Sequence, residues 1–231
     1  MQKLLNGIQH FQDHVFPANR ELFERLATGQ QPEVLVIGCS DSRLALDFIT
    51  QSSPGDMFVC RNAGNIVPPR HQAEATSAAI EFAVSALKIR HIVICGHTDC
   101  GAMKGLLHPE KLEHMPHVSR WLRHAEGARR ALDELHADCS EHEALVALTK
   151  LNVVLQLQHL ESHPHVFAQM RAGALQLHGW VFQIENGAFE KWNRNDNQWT
   201  RLGNDRASHP SGLPGSALAH EVLSAPQLAT V

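Results

Sequence analysis

Three short apolar runs place the strongest constraint on the fold of this chain. They lie at residues 34–38, 57–60 and 91–95, and none of them alternates polar with apolar residues. Uninterrupted runs rich in β-branched residues are typical of strands that are buried on both faces of a parallel sheet. Between the second and third runs, residues 74–87 place apolar side chains on one helical face, as a βαβ crossover requires. The sequence therefore predicts an α/β fold with a mostly parallel central sheet flanked by helices.

The N-terminus carries apolar residues at helical spacing, namely Leu4, Leu5, Ile8, Phe11 and Val15. Pro17 is predicted to end this first helix, and Asn19 suits the N-cap of a second one. We therefore expect residues 1–28 to form a helical arm.

The C-terminal half is predicted to be helical first and extended later. Residues 115–170 keep a helical pattern, interrupted by a polar loop at 137–140. Residues 175–184 are consistent with a strand, and Asn186-Gly187 is a dipeptide that favours a two-residue hairpin turn. After residue 202 the composition shifts to Gly, Pro, Ser and Ala. We expect one domain over residues 1–202, closed by a strand and hairpin, and a loosely ordered tail at 203–231.

Composition excludes several classes of partner and compartment. The formal net charge of -4 leaves no excess of Lys and Arg to hold phosphates, so nucleic acid is not an expected partner. No apolar run reaches transmembrane length, and the N-terminus lacks the apolar region of a secretory signal, so no membrane association is expected. The chain has 5 cysteines, an odd number without framework spacing, which favours a reducing compartment and predicts a cytoplasmic protein.

Potential metal ligands follow two of the predicted strands directly. Cys39 comes after the first run and is followed by Asp41 and Arg43, whereas His97 and Cys100 come after the third run. Ligands bind at the carboxyl ends of strands in open parallel sheets, and two thiolates with one imidazole suit zinc and leave a fourth position open. The alternatives are ordinary core cysteines beside a loop histidine, and a structural zinc site, although the latter usually shows paired Cys-x-x-Cys knuckles.

Three segments resemble the signatures of the beta-class carbonic anhydrases of bacterial type: CSDSR at 39–43, RNAGN at 61–65 and GHTDCGAMKG at 96–105. Weaker similarity extends over roughly residues 1 to 192. The resemblance implies one Zn2+ per chain on Cys39, His97 and Cys100, with Asp41 and Arg43 as a catalytic dyad. It also implies a homodimer or tetramer, in which the arm clasps the neighbouring subunit and the cleft lies at the subunit boundary. The implied cleft residues are Gln30, Phe58, Ala63, Phe82 and Gly101.

The function that follows is the reversible hydration of carbon dioxide to bicarbonate and a proton, the activity of a zinc lyase. Zinc lowers the pKa of its bound water, Asp41 is placed to orient the nucleophile, and Arg43 to hold Asp41. Asp41 could instead be a helix N-cap.

Two other functions stay open, a carbon disulfide or carbonyl sulfide hydrolase on the same scaffold and a catalytically silent zinc-binding scaffold protein. Cys60, Cys95 and Cys139 are not expected to be ligands.

One branch of this family has a switch in which bicarbonate binds a Trp, an Arg and a Tyr, and the Asp displaces the zinc water. This chain matches the Arg with Arg61 but has Val36 and Phe182 at the other two positions. The resemblance therefore places it in the non-allosteric branch, and we expect Asp41 to stay paired with Arg43.

Overall fold

The computed structural model describes residues 1–72, 74–135 and 139–203. Within them, six strands form one sheet in the order β2-β1-β3-β4-β5-β6. The first four strands run parallel, and β5 and β6 are antiparallel additions at one edge. This confirms the predicted mostly parallel α/β sheet. The strands are β1 (Val34–Cys39), β2 (Met57–Asn62), β3 (His91–His97), β4 (Gln176–Phe182), β5 (Phe189–Asn193) and β6 (Gln198–Leu202).

Helices cover both faces of the sheet, and the predicted helical stretch from 115 to 170 is confirmed, apart from residues 136–138, which lie outside the described residues. The α-helices are α1 (Gln2–His10), α2 (Phe16–Ala18), α3 (Arg20–Leu26), α4 (Leu46–Thr50), α5 (Ala75–Ser85), α6 (Gly101–Leu107), α7 (Pro116–Leu122), α8 (Glu126–Leu135), α9 (Glu141–Ser162) and α10 (Pro164–Arg171).

Two hydrophobic clusters explain why the strands lack alternation. On one face, fully buried Ile37 and Ile92 pack among residues of α5, α9 and α10. On the other face, Val36 and Val93 pack among residues of α4, α6, α7 and α8. Both faces of β1 and β3 are therefore buried, and apolar residues on consecutive positions are what such strands need.

Helix α9 approaches the sheet closely because two strand positions have no side chain. It begins with a capping box, in which Ser140 Oγ accepts from the Glu143 N–H and the Glu143 carboxylate accepts from the Ser140 N–H. Further along, Val153 packs into a notch formed by Gly96 of β3 and Gly179 of β4. A Cβ on either glycine would lie 2.9 Å from a methyl group of Val153. The notch sets the distance between α9 and the strand that ends at His97.

The N-terminal arm is helical, but its break was predicted at the wrong place. Pro17 lies inside the helical segment. It has no N–H to donate, and the π-helical turn over Phe11–Val15 that precedes it accommodates the missing hydrogen bond. The segment ends at Asn19, whose side-chain amide donates to the Val15 carbonyl at 2.8 Å and so does not cap α3. The apolar face of α1 packs on no other described part of the chain, and Leu4 is 66% exposed.

The closing strand and hairpin are confirmed as β4 and β5, but the turn between them is longer than predicted. It is closed by a hydrogen bond from the Gln183 N–H to the Ala188 carbonyl, and Gly187 has a φ of 72°. The Ile184 N–H donates to Thr98 Oγ1 at 3.0 Å, and this contact with the loop after β3 holds the wider turn. Of the predicted tail, residues 204–231 lie outside the described part. Within the described residues, no helix is both long and apolar enough to span a membrane.

Candidate metal centre and active site

Cys39, His97 and Cys100 meet because β1 and β3 are neighbours in the sheet. Cys39 is the last residue of β1 and His97 the last of β3, with Gly38 opposite Cys95 in the register. Cys100 is returned to the same place by Asp99, which has a φ of 57° in the left-handed region that Asp tolerates. The ligand atoms of the three residues all lie within 4.8 Å of one another, and all three residues are buried.

The geometry of this group fits a tetrahedral zinc ion. The two Sγ atoms are 3.9 Å apart, and zinc with Zn–S bonds of about 2.3 Å would place two sulfurs about 3.8 Å apart. His97 Nδ1 lies 2.8 Å from the Thr98 carbonyl, which can only accept, so Nδ1 carries the proton. His97 Nε2 is buried without a hydrogen-bond partner. A buried nitrogen with a free lone pair beside two sulfurs is the donor set of a metal site.

The thiols of Cys39 and Cys100 differ strongly in pKa. Hydrogen bonding from Cys100 lowers the pKa of Cys39 to about 4, and the Gly64 N–H adds to this by donating to Cys39 Sγ at 3.4 Å. The same thiol contact, together with burial, raises the pKa of Cys100 well above its ordinary value. The site therefore holds a thiolate at neutral pH, and the thiolate is the form of cysteine that binds metal.

Asp41 and Arg43 form a bidentate pair beside this group. Arg43 Nε donates to Asp41 Oδ1 at 2.9 Å and Nη2 to Oδ2 at 2.8 Å, and the Arg43 backbone N–H adds a third bond at 3.0 Å. Asp41 Oδ2 lies 3.9 Å from His97 Nε2, so the carboxylate faces the metal group. The Arg43 hydrogen bonds hold the pKa of Asp41 well below its usual range. Asp41 does not cap a helix, because Ala45 occupies the N-cap of α4.

Asp99 and Lys104 join the pair, and neither was singled out from the sequence. Arg43 Nη1 donates to Asp99 Oδ2 at 2.9 Å and Nη2 to the Asp99 carbonyl at 3.1 Å, while Lys104 forms an ion pair with the other Asp99 oxygen. The available signal was the presence of two opposite charges within the segment 96–105. Their spacing alone does not show that they converge on Arg43.

The loop that follows β2 is held against Cys39 by side chains that are partly or fully buried. The Asn62 amide bonds both the N–H and the carbonyl of Ile66, at 2.7 and 2.8 Å. From the helices, Trp121 Nε1 donates to the Ala63 carbonyl at 2.8 Å and Asn152 Nδ2 to the Gly64 carbonyl at 3.0 Å. Trp121 and Asn152 were also missed from the sequence, because they lie far from this loop along the chain.

The predicted cleft residues separate into two groups. Ala63 lies in the loop beside Cys39, and Gly101 follows Cys100 at the start of α6. Phe58 lies four residues before Asn62, the register partner of Cys39, and so about 13 Å from it along the strand. Phe58 contacts the half-exposed Phe82, with ring centroids 5.9 Å apart, and the exposed Gln30 precedes the opposite end of β1. A single chain does not bring these three residues to the metal group.

Arg61 is tied to the backbone of the site. Its Nε donates to the Cys39 carbonyl at 3.0 Å and its Nη2 to the Asp41 carbonyl at 2.7 Å. Val36 and Phe182 are buried in β1 and β4. The absence of a bicarbonate switch stays a prediction.

The other cysteines lie outside the metal group, which is the one such cluster within the described ranges. Burial raises the pKa of Cys95 to about 12 and also raises the pKa of Cys60. Cys139 is half-buried and makes no disulfide.

Comparisons with known proteins agree with this geometry. The family model described as carbonic anhydrase matches residues 34–189. A carbonic anhydrase of Pseudomonas aeruginosa is 42% identical over 225 residues, which cover 95% of this chain and 100% of that protein. The solved structure of the beta-carbonic anhydrase CcaA superimposes with a TM-score of 0.85 at 40% identity, and covers 87% of this chain and 99% of that one.

A tetrameric beta-carbonic anhydrase of Sordaria macrospora also matches, with a TM-score of 0.75, 34% identity, and coverage of 82% of this chain and 95% of that one. The sheet order, the Cys-His-Cys group and these likenesses lead to the same conclusion. The chain belongs to the beta class of the carbonic anhydrase family, the zinc lyases that interconvert carbon dioxide and bicarbonate.

Proposed function

We propose that this chain hydrates carbon dioxide with one Zn2+ held by Cys39, His97 and Cys100. The observation that carries the proposal is the buried, unpartnered His97 Nε2, which lies beside two sulfurs that are 3.9 Å apart. When bound, zinc supplies the Lewis acidity that makes a hydroxide nucleophile available near neutral pH. No observation on the described residues favours the carbonyl sulfide or carbon disulfide hydrolase, or the silent scaffold.

Asp41 is assigned the task of orienting the nucleophile. An ionised carboxylate can only accept hydrogen bonds. Asp41 therefore accepts a hydrogen bond from the attacking oxygen, and this orients a lone pair of that oxygen toward carbon dioxide. Asp41 Oδ1 already accepts two bonds from Arg43, whereas Oδ2 accepts one and lies nearer to His97. Oδ2 is therefore the atom with capacity for the nucleophile. Arg43 keeps Asp41 ionised and fixes its plane.

The test is metal analysis and stopped-flow hydration on three ligand variants, Cys39→Ser, His97→Ala and Cys100→Ser. Each is expected to lose both zinc and activity, because a three-ligand site cannot spare a donor. Cys60→Ser is the matched control, since it makes the same change in β2 outside the group and should keep about one zinc per chain. The assignment fails if any ligand variant keeps both zinc and activity. Carbonyl sulfide and carbon disulfide are offered in the same assay.

We further propose that the working protein is a homodimer or a tetramer built from such dimers. The support is the unpaired apolar face of the arm and the exposed Phe82 next to Phe58. A second copy that brings Phe58, Phe82 and Gln30 to the site would complete the cleft that one chain leaves open. Light scattering at assay concentration should give an active dimer or larger species, and deletion of residues 1–28 should abolish soluble assembly. An active monomer would refute this.

The domain boundary and the compartment also belong with this proposal. Residues 1–202 are taken as one domain, in agreement with the continuous sheet through β6. The cytoplasm is the proposed compartment, supported by five cysteines that are all unpaired.

A further inference from the structure

Arg43 lies between two aspartates and shares its donors equally between them. A guanidinium has five N–H donors in a rigid plane. Two of them bind the Asp41 carboxylate, and two bind Asp99, one at its side chain and one at its carbonyl. Lys104 pairs with the second carboxylate oxygen of Asp99. A chain of alternating charges therefore runs from Lys104 through Asp99 and Arg43 to Asp41.

The need for this chain follows from where Asp41 lies. Its Oδ2 is 3.9 Å from His97 Nε2, the nitrogen that faces the metal position. A bound dication would therefore attract the carboxylate. If Asp41 turned onto the metal, it would occupy the open coordination position. Arg43 is the group that opposes this motion. The Arg43 side chain is 44% exposed, and packing alone does not fix a long side chain with that much freedom.

We propose that Asp99 and Lys104 are positioning residues for hydration, which hold Arg43 in place so that Asp41 serves the nucleophile and does not turn onto the metal. This inference rests on the proposed roles of the metal group and of Asp41. Asp99 binds the edge of the guanidinium formed by Nη1 and Nη2, next to the edge formed by Nε and Nη2 that binds Asp41. Lys104 balances the charge of Asp99, so that the attraction between Arg43 and Asp41 is kept.

The local backbone makes this arrangement stiff. Asp99 has a φ of 57°, and it stands between the ligands His97 and Cys100. Lys104 lies in α6, where its N–H donates to the Cys100 carbonyl at 3.0 Å. Both positioning residues are therefore anchored to the strand and helix that carry the metal group. Their relation to Arg43 is set by the same backbone that sets the ligands.

The test compares Asp99→Gly with Asp99→Asn. Both residues suit a positive φ, so neither variant strains the turn beside Cys100. Asn keeps an oxygen that accepts from Arg43 Nη1, whereas Gly keeps none. Lys104→Met removes the far charge at nearly constant length. The control is Glu33→Ala, which removes an exposed carboxylate from an ion pair with Arg90 at the other end of β1.

We expect all four variants to keep about one zinc per chain. Asp99→Gly should lower kcat about fivefold at unchanged KM. A fall of this size corresponds to the upper end of the range of interaction free energies for one half-exposed ion pair. A fivefold fall means that Asp41 is turned onto the metal in about four-fifths of the molecules, with the rest fully active. Asp99→Asn and Lys104→Met should each lower kcat about twofold. Glu33→Ala should leave it unchanged.

A second measurement is independent of turnover. In the cobalt-substituted protein, the visible spectrum reports the ligands of the metal. Asp99→Gly should change that spectrum without added anion and require more azide to perturb it, because Asp41 occupies the open position. The inference is overturned if Asp99→Gly keeps the wild-type kcat and cobalt spectrum, or if Asn restores nothing relative to Gly.

Asp41→Asn separates this inference from the proposed function. Loss of a group that orients the ligands or reactants of a metal site costs about 10- to 100-fold in activity. If Asp41→Asn keeps full activity, the proposed function of the dyad is wrong. If Asp41→Asn is impaired while Asp99→Gly is not, only the inference about Asp99 and Lys104 falls.

Discussion

Gly96→Ala tests whether the contact between α9 and β3 sets the position of His97. A Cβ at this position would lie 2.9 Å from Val153 Cγ2 and 3.4 Å from Thr149 Cγ2. Non-bonded carbons prefer about 3.5–4.0 Å, so the first contact is too short by about 0.6 Å or more. The other methyl of Val153 already packs over the Gly179 backbone, so closely that a Cβ on Gly179 would come within 2.9 Å of it, and this leaves Val153 little room toward β4. Either α9 or the end of β3 must shift.

The expected loss is about 2–3 kcal/mol of unfolding free energy, the upper part of the range for overpacked cores. Because His97 is the next residue, the variant should also retain zinc less well. Val153→Ala alone removes two methyl groups, which costs about 1.5 kcal/mol in transfer free energy. In the double variant the new Cβ occupies the space that Val153 leaves. The loss of unfolding free energy in the double variant should therefore be smaller than the sum of the two single losses, by about 1 kcal/mol or more.

Urea denaturation at fixed protein and zinc concentrations measures these differences, since bound metal and subunit association both shift apparent stability. Gly127→Ala in α8 is the control. Its Cβ would meet only the Leu155 methyls at 3.4 and 3.5 Å, and alanine is favoured over glycine in a helix by about 0.5–1 kcal/mol. An undiminished stability of Gly96→Ala, or strictly additive losses in the double variant, would show that the notch does not govern this contact.

Two further predictions concern acid and bicarbonate. Arg43 depresses the pKa of Asp41 in the folded state, so the pair stabilises the protein above the ordinary carboxyl pKa and loses this contribution as the pH falls through the depressed value. The difference in unfolding free energy between wild type and Asp41→Asn, measured by urea denaturation, should be largest near neutral pH and vanish in strong acid; a constant difference would contradict this. Bicarbonate should inhibit initial hydration rates without cooperativity, because Val36 and Phe182 have no side-chain hydrogen-bond donors at the positions where the switch of the allosteric branch has Trp and Tyr; a sigmoidal loss of rate would refute it.

Much of the candidate site was accessible from the sequence because its parts are tied to strand ends. An uninterrupted apolar run identifies a strand that is covered on both faces, and the residues just after it lie at the sheet edge. Cys39, His97 and Cys100 could be assigned to the same edge of the sheet on this basis, and the resemblance to the beta class supplied the ligand set and the roles of Asp41 and Arg43. The helical regions were equally readable, since their periodicity is local.

The tertiary structure decided the contacts between segments that are distant along the chain. Spacing in the sequence does not set the order of strands, and it is the adjacency of β1 and β3 that brings Cys39 to Cys100. Asp99 could not be linked to Arg43, because the link depends on a positive φ and on that same adjacency. The turn after β4 is wider than its Asn-Gly dipeptide favours, because the loop after β3 binds it. Local patterns determine which elements form and what they carry, whereas long-range packing determines which side chains meet.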